Sequence, residues 1–570
     1  MNLRSTLLTL VACGLMACPG PELPGDLDSG TGARVDGGAT TVDGGVTRVD
    51  GGGGMLDSGT VGSDAGMAAD AGGNDTDAGN MVVDAGNMVV DAGNGSTDAG
   101  TGSTDAGARF TINGVRVTHF INATRVLDAP VDPTIHPLLA YSATGSTFTS
   151  LPITYRDGGM FSFESPTQTY YVGSDRRYFV SNSPSIDLGS FEQGRPDAPV
   201  FTGETRTFVI SATGMSPFDS NNDGFQLASE SVYEQAWLFT SDSITPGTTS
   251  LSSVAFDQYV SIIGLNDLEA AKGDTAVISQ TRTISYATDA GTATYTRLVA
   301  SASTGPIDSA DGVTTTVTLP MTVLPSRAVT FDWRGQQWRN LASSVHPAAQ
   351  SSSLYLTLSA TTDGTAHGWV GYLSELLSAS LTTVPDGLLP MSYANPRSSW
   401  GEIGSVFATY RVPVQIGSST PFQVSTYAAL QATVSELSAL SLSPIVTPPA
   451  SLKIDGLNAQ GTPVIISSVT PAISWSGVPS GDHFFTVRVR EVYAAAGATR
   501  AGPIILTCIF SGALGASVRL PPGYLISGKS YVIIVEEGVQ DAPFSGLTAP
   551  FYFGTRLVNA SAVTSLITVE

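Results

Sequence analysis

From Arg109 onward, apolar and polar residues alternate in short runs that are separated by Gly, Pro, Asn, Asp and Ser. Runs such as TFVISAT, TTTVTLP and SLYLTLSA repeat with a period of two, which predicts strands with one buried and one solvent-facing side. Threonine and serine fill the polar positions, as expected for antiparallel sheets that face water on one side. The pattern therefore predicts an all-β protein made of several antiparallel β-sandwich domains.

One segment departs from this alternation. WRGQQWRNLASSV, from Trp333 to Val345, has helical spacing, and Pro347 follows where a helix has to end. We expect a short helix there and hardly any other helix.

The strand-rich part divides into segments at positions rich in Pro and Gly. We expect a β-sandwich at 109–196, β-rich domains at 197–325 and 326–445, and a further sandwich at 446–570. The pattern leaves open whether the two middle segments are separate domains or one unit.

The last of these segments has the most specific pattern. It runs AISWSGV with Trp475, then HFFTVRVREVY, then SVRLPPGYLISGKSYVIIVEE with Tyr531. This order of strands and aromatics resembles a fibronectin type III or immunoglobulin-like module, and the resemblance implies a core Trp and a corner Tyr. Nearer the start, RDGGMFSF (156–163) resembles the turn and strand of carboxypeptidase-regulatory-like β-sandwiches.

The first eighteen residues form a segment of another kind. One cation, Arg4, precedes an apolar run that ends at Cys18, and this run is too short to cross ~30 Å of hydrocarbon. We interpret residues 1–17 as a secretory signal peptide. The preceding Leu-Met-Ala resembles the lipobox of bacterial lipoproteins, which implies lipidation at Cys18. A second box ends at Cys13, but it leaves a shorter apolar core.

Residues 18–108 have a repetitive acidic composition, with Asp recurring mostly every seven residues among many glycines. The glycines and the missing apolar seam exclude a coiled coil, and the low apolar content predicts a disordered linker. Asp-Ala-Gly repeats after a lipobox resemble the tethers of myxobacterial surface lipoproteins. The resemblance implies a bacterial outer-membrane protein held by lipid, with its folded part exposed at the surface or facing the periplasm.

Charge and cysteine content limit the partners and the cross-links that the chain can have. The formal net charge is -23 and no basic stripe is present, which argues against nucleic acid as a partner. Besides Cys13 and Cys18 the chain contains Cys508, in the apolar run IILTCIF. We therefore expect no intrachain disulfide after processing, and we expect Cys508 to be buried.

One stretch, DSNNDGFQLASE (219–230), matches the EF-hand calcium loop at every specified position. A strand pattern and Pro217 precede it, so a polar turn between strands is the alternative. Such a loop would bind Ca²⁺ weakly, and the bound ion would stabilise the domain. The candidate ligands are Asp219, Asn221, Asp223, Phe225 through its carbonyl, and Glu230.

Motifs for catalysis are missing from the sequence. No G-x-S-x-G elbow, phosphate loop or dinucleotide fingerprint occurs, and no histidines have zinc-ligand spacing. Aromatic residues could line a carbohydrate platform or belong to cores. The candidates for the platform are Trp333, Trp338, Trp369, Tyr393 and Trp400, and the histidines, expected in loops or at strand edges, are His119, His136, His346, His367 and His483.

These features favour a non-catalytic surface lipoprotein whose β-sandwich domains bind a glycan or protein partner, mediate adhesion or have a structural role in the envelope. The alternative is a secreted or surface hydrolase, carbohydrate-active or peptidase-like, that uses residues 197–445. A Ser-His pair or two acidic side chains in one cleft would favour this hydrolase.

The lipobox leads to a direct prediction. We expect Cys18→Ala to abolish metabolic labelling of the protein with palmitate, because the apolar core and the box both end at this thiol. Cys13→Ala is the matched control and should keep the label. Labelling that survives Cys18→Ala would assign the acylated cysteine elsewhere.

Overall fold

The computed structural model describes residues 109–121, 126–199, 205–232, 234–259, 266–288, 291–310, 312–361, 373–477, 483–540 and 556–570. The signal peptide, Cys18 and the tether predicted from the sequence lie outside these residues. Strands make up most of the described chain and pack in face-to-face sheets, which confirms the predicted all-β, sandwich-type fold. No helix in the described ranges is long and apolar enough to span a membrane.

The first segment, residues 109–196, packs two sheets around Ile112, Phe161, Phe163 and Tyr170. Gly158 and Gly159 have φ angles of 73° and 75° and make the tight turn before a strand, as RDGG in the sequence suggests. The strands are β1 (Phe110–Val115), β2 (Val117–Ile121), β3 (Val126–Pro130), β4 (Leu138–Thr144), β5 (Thr147–Leu151), β6 (Thr154–Tyr155), β7 (Met160–Ser165), β8 (Tyr170–Ser174), β9 (Arg177–Ser181), β10 (Ser185–Asp187) and β11 (Ser190–Gln193).

The second segment, residues 205–323, buries a core around Phe208, Phe225 and Phe256. A short 3-10 helix, Ala270–Lys272, interrupts its strands. The strands are β12 (Thr205–Thr213), β13 (Asp223–Ser229), β14 (Glu234–Phe239), β15 (Leu251–Tyr259), β16 (Val277–Thr288), β17 (Gly291–Ser303), β18 (Thr314–Pro320) and β19 (Thr322–Val323).

The third segment, residues 327–442, contains the α-helices. The predicted helix at 333–345 is confirmed as two consecutive short helices, and Trp338 on the first of them is buried. The elements are β20 (Arg327–Trp333), α1 (Gly335–Asn340), α2 (Ala342–Val345), β21 (Gln350–Thr361), β22 (Leu373–Ser380), β23 (Gly387–Tyr393), β24 (Gly401–Val414), β25 (Phe422–Thr433), α3 (Val434–Ala439) and β26 (Ser441–Leu442).

Helix α3 was not predicted from the sequence, which led us to expect hardly any helix besides the one at 333–345. Strand β25 ends at Thr433 because its hydroxyl accepts the Glu436 backbone N–H, and the Glu436 carboxylate accepts the Thr433 N–H at 3.0 Å. This reciprocal capping box starts a helix. The T-x-x-E spacing was therefore the signal that could have identified α3.

The fourth segment, residues 450–569, stacks a small sheet on a large one. The strands are β27 (Ala450–Ile454), β28 (Leu457–Asn458), β29 (Val464–Ile466), β30 (Ala472–Ser476), β31 (His483–Ala495), β32 (Ala498–Ser511), β33 (Ser517–Arg519), β34 (Ser530–Gln540), β35 (Leu557–Val563) and β36 (Ile567–Val569). The small sheet has the strand order β28-β27-β30-β33, and the short 3-10 helix Gly512–Leu514 precedes its edge strand β33.

Strand pairing continues from one segment to the next. The hairpin β16–β17 runs from the second core into the third, where Tyr295 of β17 pairs with Ala379 of β22. Strand β25 then pairs with β35, so that Ala428 lies opposite Ala560. The middle of the chain is therefore joined to the fourth segment by backbone hydrogen bonds as well as by side-chain packing.

The first segment joins the fourth in the same way. Strand β9 lies parallel to β32, with Thr507 opposite Arg177 and Phe510 opposite Val180. Apolar residues cross the junction in both directions, because Tyr178 and Val180 belong to the fourth core whereas Ile509 belongs to the first. The first segment is thus in contact with the last, across the junction β9–β32.

The two aromatics singled out in the last segment take the predicted positions. Trp475 is buried and packs its ring 4.8 Å from that of Phe485. Tyr531 is fully buried, and its hydroxyl accepts the backbone N–H of Ile526 at 2.9 Å. This is the hydrogen bond of a tyrosine corner. Cys508 is buried as expected, and burial raises the pKa of its thiol.

The corner hydrogen bond can be tested by substitution. We expect Tyr531→Phe to lower the free energy of unfolding by about 1 kcal/mol, because the Ile526 N–H loses its acceptor inside the protein. Tyr493→Phe, on an exposed part of β31, is the matched control and should change little. Equal unfolding midpoints for the two variants in denaturant would contradict the corner assignment.

Candidate functional site

A cavity of about 280 Å³ lies at the junction of the first and fourth segments. It forms because β9 and β8 extend the large sheet beyond β32, whereas the small sheet above it ends at β33. The face of the large sheet is therefore left partly uncovered next to the β33 edge. The residues lining this junction cavity are Thr169, Tyr171, Val180, Ala472, Phe510, Leu514, Ser517, Val518 and Arg519.

Aromatic side chains continue the floor of the junction cavity across the first segment. The Phe148 ring lies 5.2 Å from that of Tyr171, and the Tyr141 ring lies 6.1 Å from both Phe148 and Tyr178. The Tyr178 ring in turn has an edge contact with Tyr524, 5.9 Å away. These pairs are mostly edge-on, the favourable geometry for aromatic rings. They give the site a rigid, largely apolar floor with phenolic hydroxyls.

Arg519 supplies the positive charge of the site. Its Nη1 donates to the Thr470 carbonyl oxygen at 2.6 Å, and among the described residues it has no carboxylate partner. Burial raises the pKa of the Tyr171 hydroxyl, and the Arg519 charge opposes that increase. The guanidinium is thus anchored to the Thr470 carbonyl at the cavity, with donors left for an anion.

The chemistry of the described lining residues is that of recognition. They offer apolar walls, the hydroxyls of Thr169 and Ser517, the phenol of Tyr171 and one guanidinium, and none of them is a carboxylic acid, a histidine or a cysteine. Such a surface can bind a small molecule with an apolar body and a negative charge. It offers no side chain suited to acid–base catalysis near neutral pH.

The predicted calcium loop is folded around an arginine. The Asp223 side chain is fully buried, and its two carboxylate oxygens accept from Nε and Nη2 of Arg282 at 2.6 and 2.7 Å. Gln280 also donates to Asp223, at 2.7 Å. The bidentate guanidinium thus engages both of the carboxylate oxygens that the calcium hypothesis would use as ligands.

The other candidate ligands have partners of their own. Asp219 accepts the Asn221 backbone N–H at 3.0 Å, and its own N–H donates to the Asp223 carboxylate at 2.9 Å. The Phe225 backbone lies in β13, which pairs with β14 and β16. Glu230 lies 3.7 Å from Arg397 instead. In the described parts of the chain, no group of three or more His, Cys, Asp or Glu residues could hold a metal ion. This arrangement is that of a polar turn closed by an arginine pair, and calcium binding by the loop stays a prediction.

The aromatic platform considered from the sequence is not formed by the described candidates. Trp333 and Trp338 are buried in the third core, where their indole N–H groups donate to the carbonyls of Val384 and Leu442. Tyr393 is also buried, and the Arg397 guanidinium covers the Trp400 ring at 4.2 Å. Trp369 lies outside the described residues. These rings were recruited to packing because each buries a large apolar area.

A Ser-His pair does occur, but its geometry is wrong for a nucleophile and its base. His346 Nε2 lies 3.1 Å from the Ser565 hydroxyl, and both residues are buried. The other ring nitrogen, Nδ1, accepts the Ala348 N–H, so the ring proton must be on Nε2. Nε2 therefore donates to Ser565 and cannot take its proton. Burial also lowers the His346 pKa and keeps the ring neutral.

The remaining described histidines lie beside carboxylates, and two of them are more buried than expected. His119 lies between Asp128 at 2.7 Å and Asp187 at 3.5 Å, and it thereby connects strands of the first segment. His483 is buried next to Glu537 at 2.9 Å. His136 is partly exposed, and His367 lies outside the described residues. Strand pairing, which brings distant carboxylates to each ring, explains the burial.

The residues that build the junction cavity were not identified from the sequence. LLAYSAT and TFTSL each contain one aromatic residue and TYYVG contains two adjacent ones, and these aromatics within strand patterns are the local signal for the aromatic floor. Nothing local shows that these strands lie beside β33.

Comparisons with known proteins give weak similarities to solved structures. No protein-family model and no curated protein matches the chain. Among solved structures it is similar to the FN1-FN3 domains of chicken CNTN1, at 9% identity over 65% of this chain and 90% of that one, with a TM-score of 0.12. It is also similar to native E. coli alpha-2-macroglobulin, at 8% identity over 81% of this chain and 28% of that one, with a TM-score of 0.12. Scores this low support no argument about function.

Substitutions in the loop at 219–230 can distinguish a polar turn from a calcium site. We expect Asp223→Ala to destabilise the full-length protein by about 2–3 kcal/mol in a chelating buffer, since it leaves the Arg282 guanidinium without its carboxylate. Asn221→Ala, which removes a ligand of the calcium hypothesis but only an exposed side chain of the turn, should have little effect.

Thermal melts with and without millimolar Ca²⁺ complete this experiment. If the turn interpretation holds, the melting temperature of wild type is the same in both buffers. A melting temperature that rises with Ca²⁺ in wild type but in neither variant would instead support the calcium site.

Proposed function

We propose that the protein is a non-catalytic, lipid-anchored protein of the bacterial outer membrane that binds a partner through the junction cavity. The observation that carries this proposal is the composition of the cavity, in which an arginine with no carboxylate partner among the described residues borders aromatic walls. The anchor part of the proposal rests on the lipobox-like segment that ends at Cys18.

The way in which the four segments are joined supports a rigid arrangement of the cavity walls. Backbone hydrogen bonds connect the second segment to the third, the third to the fourth, and the fourth back to the first. Because the cavity walls come from two segments that are held by β9–β32 pairing, their relative positions are set before a ligand arrives. Preorganisation of this kind lowers the entropic cost of binding.

The fold class is consistent with a binding or structural role. β-Sandwich modules commonly present loops and sheet faces to partners, and here the Trp475 and Tyr531 positions follow the fibronectin type III or immunoglobulin-like pattern. Fold alone does not establish function, so the argument depends on the cavity.

The experiment uses purified full-length protein and an array of bacterial surface polysaccharides. We expect wild type to be retained on at least one polysaccharide and Ser517→Trp to lose retention, since a bulky ring at this exposed lining position obstructs the cavity. Ser438→Trp, on exposed α3, is the matched control and should bind as wild type does.

Two results would contradict the proposal. Retention that is equal in wild type and Ser517→Trp would place binding elsewhere. Release of reducing sugar or shortened polysaccharide during the incubation would favour the hydrolase alternative.

A further inference from the structure

The junction cavity is lined by three kinds of recognition group. Tyr171, Phe510 and Leu514 supply apolar surface, Thr169 and Ser517 supply hydroxyls, and Arg519 supplies a positive charge. A ligand that matches all three needs an apolar face, several hydroxyl groups and an anionic group. The cavity volume of about 280 Å³ limits it to roughly one ring.

Simpler ligands leave part of the site unmatched. A neutral sugar would leave the half-buried Arg519 guanidinium without a counter-charge, and an aryl acid would leave the hydroxyls of Thr169 and Ser517 without partners. Groups desolvated without a partner reduce affinity. A sugar acid satisfies all three kinds of group, because its ring has C–H faces, its hydroxyls bond to Ser and Thr, and its carboxylate pairs with guanidinium.

The Arg519 side chain is positioned in advance for such a carboxylate. Its Nη1 bond to the Thr470 carbonyl holds the planar guanidinium, which keeps further N–H donors for a ligand. Paired guanidinium–carboxylate hydrogen bonds are short and strong relative to neutral ones.

We propose that the junction cavity binds a hexuronic acid, either free or as a residue of an acidic polysaccharide, through Arg519. This inference rests on the proposed function and specifies its ligand class.

The test measures binding of D-glucuronate to the full-length protein by saturation-transfer NMR and calorimetry in 0.15 M salt, where the ~8 Å Debye length screens the acidic body. We expect a dissociation constant of about 1 mM for this small ligand. D-Glucose, which lacks the carboxylate, and phenylacetate, which lacks the hydroxyls, should each bind at least about tenfold more weakly.

Arg519→Gln should weaken glucuronate binding about tenfold or more, because it removes the charge but keeps a donor for Thr470. Arg500→Gln, at an exposed position of β32 outside the cavity lining, is the matched control and should leave the affinity unchanged. If Arg519→Gln fails to fold, as judged from circular dichroism and thermal melts, Ser517→Trp replaces it as the blocking variant.

The outcomes separate this inference from the proposed function. Equal affinity of wild type and Arg519→Gln for glucuronate, or equal affinity of wild type for glucose, would overturn the uronate assignment. If Ser517→Trp still abolished polysaccharide retention in that case, binding at the cavity would stand with a different ligand. If Ser517→Trp kept both glucuronate binding and polysaccharide retention, the uronate assignment and the proposed function would both be overturned.

Discussion

The exposed edge of a β-sheet carries unpaired N–H and C=O groups, and the junction β9–β32 removes two such edges at once. The edge of β32 is covered by Arg177–Ser181 in parallel register, and apolar side chains follow the pairing into both cores. Unpaired backbone groups at an edge invite pairing with other chains, so covering them protects the protein from association. The first and fourth segments consequently depend on each other, because Ile509 completes the first core and Tyr178 completes the fourth.

The same pairing creates the candidate site. A sandwich closes when its two sheets cover each other, but here the large sheet continues into β9 and β8 whereas the small sheet ends at β33. The uncovered strip is floored by aromatic rings and bordered by Arg519. The cavity is therefore a product of joining two sandwiches, and its geometry depends on the junction remaining intact.

Buried charges elsewhere in the body have a structural explanation. Arg206 pairs with Glu234 at 2.7 Å, and Arg488 pairs with Glu536 at 2.8 Å, with all four side chains largely buried. Burial raises the pKa of Glu234 to about 7, and the Arg206 charge opposes this increase. Each ion pair crosses between strands that are distant in sequence. Such pairs specify strand register more than they add stability, because desolvation offsets much of the attraction.

The sequence by itself determined the features that depend on local pattern. Period-two alternation predicted the all-β fold, helical spacing predicted the helix at 333–345, and two aromatics marked the Trp475 and Tyr531 positions. Tertiary structure decided what depends on distant partners. The sequence does not show that the Asp223 carboxylate of the calcium-like loop pairs with Arg282 on another strand, and the cavity exists only because β9 lies beside β32. Strand partners are selected by burial of whole faces and by pairing of edges, and neither is visible in a window of neighbouring residues.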